Sequence, residues 1–129
     1  MKTKILLIED NEQNRYLLTF LLEKHGYEVI QAVDGLQGIE AAERVRPDLI
    51  LLDIQLPGMD GYQVAAELRN ISSLQHTPII AVTSFAMPGD REAGLKAGCT
   101  GYIEKPINPD TFVDEIMPFI ANEEAGESK

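Results

Sequence analysis

Leu49-Ile50-Leu51-Leu52-Asp53 is a run of four apolar residues closed by a carboxylate. A strand with one face in water alternates apolar and polar residues. An unbroken run this short suits a strand buried on both faces, as in a parallel sheet. Ile5-Leu6-Leu7-Ile8 and Ile79-Ile80-Ala81-Val82 share that character, and two weaker candidates accompany them, Glu28-Val29-Ile30-Gln31-Ala32 and Gly101-Tyr102-Ile103. Between the runs the apolar spacing is helical. Leu17, Leu18, Leu21 and Leu22 form one stripe, and Gly26 is placed to end it. Ile39, Ala42 and Val45 form a second, stopped before Pro47, and Val64, Ala65 and Leu68 a third. Asn108-Pro109-Asp110 reads as a helix start, with Phe112, Val113, Ile116 and Met117 following. Pro118 then predicts a kink or an early end. The stretch from Arg91 to Ala97 has the weakest stripe and is the helix expected to dock least firmly. The resulting order, βαβαβαβαβα, implies a parallel sheet with helices on both faces.

The whole chain supports one such unit. Its 129 residues make one domain with one core. Hydrophobic residues are 44% and charged residues 25%, an ordinary globular balance that rules out disorder of the whole chain. Eleven Lys and Arg against 21 Asp and Glu give a net charge of −10, which disfavours nucleic acid and anionic membrane surfaces as partners. Cys99 is the single cysteine, so no intrachain disulfide and no Cys-based zinc site can form; it reads as a small apolar residue before a strand. The basic then apolar start, Met1 to Ile8, resembles a signal peptide, but Glu9-Asp10 cut it too short. No apolar run approaches a membrane span, and the expected setting is cytoplasmic. The polar stretch from Ala121 to Lys129 reads as a frayed acidic tail.

In open α/β sheets, ligands bind beyond the carboxyl ends of the strands. Glu9 and Asp10 follow the first strand, Asp53 the third, Thr83 and Ser84 the fourth, and Glu104 and Lys105 the fifth. Taken singly, Asp10-Asn11 reads as a helix cap, Thr83 as a turn hydroxyl and Lys105 as a solvated charge. Asp53 is harder to dismiss because the run before it is buried. Together, three converging carboxylates stay ionised only if a cation shares the site. Hard oxygen ligands without converging His or Cys favour Mg²⁺. With the Lys105 ammonium and the Thr83 hydroxyl, these are parts that neutralise a phosphoryl group in transfer, and an Asp is a competent acceptor. The residues read as an Mg²⁺-assisted aspartyl-phosphate site.

Glu9-Asp10-Asn11, the stretch from Leu51 to Gly61 (LLDIQLPGMDG), Val82-Thr83-Ser84 and Glu104-Lys105-Pro106 resemble the receiver domains of two-component response regulators. The resemblance runs from about Lys4 to Ile120. Phe85 to Asp90 (FAMPGD), with Ala97-Gly98-Cys99 and Tyr102, is most similar to single-domain receivers of the DivK type, and also to receivers attached to hybrid histidine kinases. It implies a flavodoxin-like sheet of order 2-1-3-4-5 flanked by five helices, a receiver over 1–121 and a tail over 122–129. It implies that Asp53 accepts a phosphoryl group from a partner phosphohistidine, on a sensor histidine kinase or a histidine phosphotransfer protein. Asp10 and Asp53 would bind Mg²⁺ with the Gln55 backbone carbonyl, and Glu9 through the metal's water shell. Lys105 would pair with the phosphoryl oxygens, and the Lys105-Pro106 bond would be cis. Thr83 would swing toward the phosphoryl group and Tyr102 would change rotamer with it. The face around the fourth helix, fifth strand and fifth helix would then change for a downstream protein target. The unphosphorylated protein would be a monomer. Phe85, beside the switch Thr83, would limit water access and lengthen the phosphoryl lifetime.

Other readings fare worse. A haloacid-dehalogenase-type phosphatase needs a second Asp two residues after the nucleophile, where this chain has Gln55. A flavodoxin needs a Ser/Thr-rich loop where Glu9 to Glu12 stand. The Gly89 and Gly94 spacing of a P-loop lacks its Lys, since Leu95 stands there. His25 and His76 read as surface or packing residues. A pseudo-receiver that only binds partners would not need the full set of site residues. The reading adopted is a signalling switch without turnover of its own, with a receiver excised from a hybrid kinase as the alternative.

Overall fold

The computed structural model describes residues 2–56, 58–84 and 88–127, and side chains for all of these except 88, 90, 91 and 121–127. Phe85 lies outside the described residues. Five strands, β1 (Lys4–Ile8), β2 (Glu28–Ala32), β3 (Leu49–Asp53), β4 (Ile79–Thr83) and β5 (Gly101–Glu104), form one parallel sheet of order β2-β1-β3-β4-β5. Helices α1 (Glu12–Lys24), α2 (Gly35–Val45), α3 (Gly61–Arg69), α4 (Pro88–Ala97) and α5 (Phe112–Glu127) alternate with them.

The three unbroken apolar runs are the three central strands, and their residues divide by the two-residue period of a strand. Ile5, Leu7, Leu49, Leu51, Ile80 and Val82 pack with Leu18, Leu21 and Leu22 of α1 and Phe112, Val113, Ile116 and Ile120 of α5. Leu6, Ile8, Ile50, Leu52, Ile79 and Ala81 pack with Ala41 and Ala42 of α2 and Val64, Ala65 and Leu68 of α3. Each fully buried Leu or Ile contributes about 1.5–3 kcal/mol relative to exposure, so this double layering fixes the register of the sheet. Among the described residues no helix is long and apolar enough to cross a membrane.

The helix boundaries follow from local chemistry. Asn11, Asp34 and Asp60 cap α1, α2 and α3, each side chain accepting from a backbone N–H two or three residues on. Gly26, at φ +87°, follows α1 in the left-handed conformation that a non-Gly residue adopts only with strain. Asn108 Oδ1 accepts from Asp110 N–H at 2.9 Å and shapes a turn; the helix proper begins at Phe112.

Two sequence expectations are corrected. The face of α2 is built on Gly35, Gly38, Ala41 and Ala42, with Ile39 and Val45 only half-buried. The helix lies so close to the sheet that a Cβ on Gly38 would stand 2.4 Å from Ile8 Cδ1. The early end at Pro118 does not occur, for α5 runs through it to Glu127 and carries the helix into the segment read as a tail. Pro118 and Asp114 are both exposed, so water can donate to the Asp114 carbonyl the hydrogen bond that the proline cannot, while Ile116 and Ile120 anchor the helix on either side.

Candidate functional site

Register alone brings the polar groups together. Ile8 pairs with Leu52, so one step on Glu9 faces Asp53. Asp53 pairs with Val82 and Thr83 with Glu104. Glu9 N–H donates to the Ala32 carbonyl and Lys105 N–H to the Thr83 carbonyl, which extends the ladder one residue past the strands at both places. The residues after β1, β3, β4 and β5 thus share one edge.

Glu9 and Asp53 are buried, at 1% and 3% exposure, and Asp10 stands exposed beside them. Oxygen atoms of the three carboxylates all lie within 4.8 Å of one another. Lys105 Nζ bridges two of them, 3.2 Å from Glu9 Oε1 and 3.4 Å from Asp53 Oδ2. Glu9 Oε2 accepts from Asn11 N–H at 3.1 Å, and Asp53 Oδ1 from Gln55 N–H at 2.9 Å. Burial pushes the Glu9 carboxyl up to about 7, with hydrogen bonding to Asp53 and repulsion by its charge adding to the rise; the Asn11 N–H and Lys105 pull the other way. Among the described residues one ammonium faces three carboxylates, which leaves the cluster short of positive charge. A hard cation with oxygen ligands suits that donor set.

Thr83 is buried at 2% exposure at the end of β4. Tyr102 is half-buried on β5 and lines a cavity of about 180 Å³ with Leu95, Cys99, Thr100 and Gly101. The Lys105-Pro106 peptide bond is cis. Cys99 packs in the second core layer, and burial pushes its thiol up to about 11, which disfavours the nucleophilic thiolate. His25 closes α1, its Nδ1 3.0 Å from the Leu21 carbonyl.

Residues 5–117 match the response regulator receiver domain family. The chain belongs to that family. As a receiver it is similar to the polar-differentiation response regulator DivK of Brucella anthropi, 43% identical over 122 residues that cover 95% of this chain and 99% of that protein. Among solved structures it is similar to the Vibrio cholerae chemotaxis protein CheY4, with a TM-score of 0.89, 30% identity, and 92% and 99% of the two chains covered. The receiver domain of a Pseudomonas aeruginosa sensor histidine kinase has a TM-score of 0.86 and 38% identity, covers 94% of this chain and 99% of its own, and was solved with magnesium coordinated in its active-site cleft.

Two residues of this receiver, Arg15 and Arg69, and the side chain of a third, Gln55, went unread in the sequence. The Arg15 guanidinium donates to the Glu9 carbonyl at 3.0 Å and the Asp10 carbonyl at 3.4 Å, tying α1 to the acidic turn. Arg69, at the end of α3, donates to the carbonyls of Leu74, Thr77 and Gly98 and to Thr100 Oγ1. The Gln55 side chain accepts from Ser84 N–H. No motif marks these side-chain contacts: Arg15 reaches back to the carbonyls of the neighbouring turn, and Arg69 and Gln55 reach partners as far as 31 and 29 residues along the chain.

Proposed function

We propose that this receiver is a phosphorylation-dependent signalling switch whose acceptor is Asp53. The observation that carries the reading is the sharing of one ammonium, Lys105, by two buried carboxylates at a sheet edge that holds a third. A phosphohistidine on a sensor histidine kinase or phosphotransfer protein is the donor. An Asp53 carboxylate oxygen forms the new bond to phosphorus, the phosphorus–nitrogen bond breaks, and its electron pair leaves with the histidine ring. Lys105 neutralises the phosphoryl oxygens as they arrive. Thr83 supplies a hydroxyl beside them, and Tyr102 on the neighbouring strand follows Thr83. Asp10, Asp53 and the Gln55 backbone carbonyl would hold Mg²⁺, with Glu9 acting through its water. When bound, the ion offsets the carboxylate charge and that of the transferred group.

The phosphoryl group adds about −1.5 to −2 charge at the edge where α4 begins. The face of α4, β5 and α5 then changes for a downstream protein target. The residue two after Asp53 is an amide, Gln55, so no turnover on phosphate esters follows, and the protein acts as a cytoplasmic monomer until phosphorylated. The identity of 43% to DivK proteins, against 38% to a receiver from a sensor kinase, favours the DivK-type reading over an excised relay domain.

The test is intact mass after incubation with a small-molecule phosphodonor and Mg²⁺, beside Asp53→Asn and a chelator control. One acid-labile phosphoryl adduct, absent from both controls, is the expected result. An adduct that survives in Asp53→Asn would overturn the assignment.

A further inference from the structure

Gln55 spans two loops. Its backbone N–H donates to Asp53 Oδ1 at 2.9 Å, and its side-chain Oε1 accepts from the backbone N–H of Ser84 at 3.4 Å. Register explains the reach. Asp53 pairs with Val82, so two steps further along Gln55 faces Ser84. Ile54 N–H still donates to the Val82 carbonyl at 3.1 Å. Beyond that bond the chains part, and the Gln55 amide serves the Ser84 N–H in place of a backbone carbonyl. One residue therefore touches the acceptor carboxylate through its backbone and the exit of β4 through its side chain.

We infer that the Gln55 side chain is a positioning residue that holds the Ser84 N–H in the unphosphorylated protein and yields it to the phosphoryl group when Asp53 is modified. The inference rests on the reading of Asp53 as acceptor. Ser84 directly follows Thr83, so its N–H is among the donors that can follow the new charge. Hydrogen bonds to an ionised acceptor are about twice as strong as those to a neutral amide. An N···O distance of 3.4 Å lies at the weak end of the range, and both residues are exposed, so the amide can exchange its partner for water. The exchange favours the phosphoryl oxygen. The Gln55 amide acts as a competitor that lowers the net gain and holds the Ser84 N–H in its resting place.

Gln55→Met keeps the length of the side chain and removes the acceptor; Gln55→Asn keeps an amide too short to reach. Neither touches the backbone carbonyl assigned to the metal. The experiment uses the full chain, ¹⁵N-labelled, and follows the Ser84 amide signal without ligand and during titration with beryllofluoride and Mg²⁺. Without ligand, the Ser84 amide should shift and exchange faster with solvent in both variants than in the wild type. With the mimic bound, the signals of the three proteins should converge. The variants should bind the mimic about two- to tenfold more tightly, the factor for one lost net hydrogen bond. Identical ligand-free Ser84 signals, or equal affinities across the three proteins, would overturn the inference alone. No mimic binding by the wild type would overturn the Asp53 reading and this inference with it.

Discussion

Lys105 Nζ lies 3.4 Å from Asp53 Oδ2, at the point where the ends of β5 and β3 approach one another across β4. The Lys105 side chain is 14% exposed and that of Asp53 3%, so the pair is poorly screened by water. Lys105→Met removes the cation that, among the described residues, faces two buried carboxylates. The metal-free protein should lose about 1–3 kcal/mol, the cost of leaving charged partners unmatched, read as a lower urea midpoint at unchanged slope. Phosphoryl transfer from a small donor should slow by at least about tenfold, since the stabiliser of the incoming charge is gone. A wild-type transfer rate in Lys105→Met would remove Lys105 from the mechanism.

The raised Glu9 carboxyl sets a pH dependence with a definite sign. Its folded value, about 7, is above the ordinary 4.5, so between those values the folded protein binds more protons than the unfolded chain. Stability then falls as pH rises. In chelator, the contribution of this group should be complete below pH 4.5 and fall by up to about 3 kcal/mol as pH rises to 8. Mg²⁺ should recover more stability at pH 8 than at pH 5, because a cation favours the ionised carboxylate. Thermal melts at the two pH values, with and without Mg²⁺, check both halves. Equal Mg²⁺ effects at pH 5 and pH 8 would contradict the assignment.

The sheet was legible because its central strands are unbroken apolar runs, and the site because each run ends in a polar residue on one edge. Leu52 and Asp53 show both at once. The face of α2 was legible only in part: of the stripe Ile39, Ala42 and Val45, Ala42 is buried and Ile39 packs against the core, but the packing distance is set by the absence of a side chain at Gly38. The early end expected at Pro118 does not occur because helix propensity is local, while the anchors that carry α5 through it, Phe112, Ile116 and Ile120, are tertiary. Arg69 and Gln55 act through partners 29 residues away along the chain, and spacing holds no trace of such contacts.

Arg69 supports a further prediction. Its guanidinium donates to the Leu74 and Thr77 carbonyls at 2.7 Å, to the Gly98 carbonyl at 2.9 Å and to Thr100 Oγ1 at 3.1 Å. Thr100 Oγ1 in turn accepts from Ile79 N–H at 3.1 Å. One side chain thus joins α3, the turn before β4, the end of α4 and the start of β5. Arg69→Met preserves the stem and deprives those carbonyls of their donor. A loss of about 2–4 kcal/mol is expected, with faster amide exchange at Gly98 to Thr100. A change below about 0.5 kcal/mol would show that water replaces the guanidinium at no cost.

Gly61 and Gly94 should respond oppositely to the same substitution. A Cβ on Gly61 would stand 2.5 Å from Ile54 Cα and 2.8 Å from its carbonyl oxygen, backbone atoms that cannot turn aside. Gly61→Ala should therefore push α3 from the loop after Asp53 and cost about 1–3 kcal/mol. On Gly94, inside α4, the nearest atom would be Tyr62 Cε1 at 3.6 Å, an ordinary contact. There alanine adds helix propensity without a clash, and Gly94→Ala should stabilise the protein by about 0.5–1 kcal/mol. Leu95, the next residue, is 58% exposed, so little tertiary packing on that side of α4 opposes the gain. Paired urea titrations of the two variants measure the contrast. Destabilisation by Gly94→Ala would mean that α4 is held closer to Tyr62 and Cys99 than the 3.6–3.9 Å spacing allows.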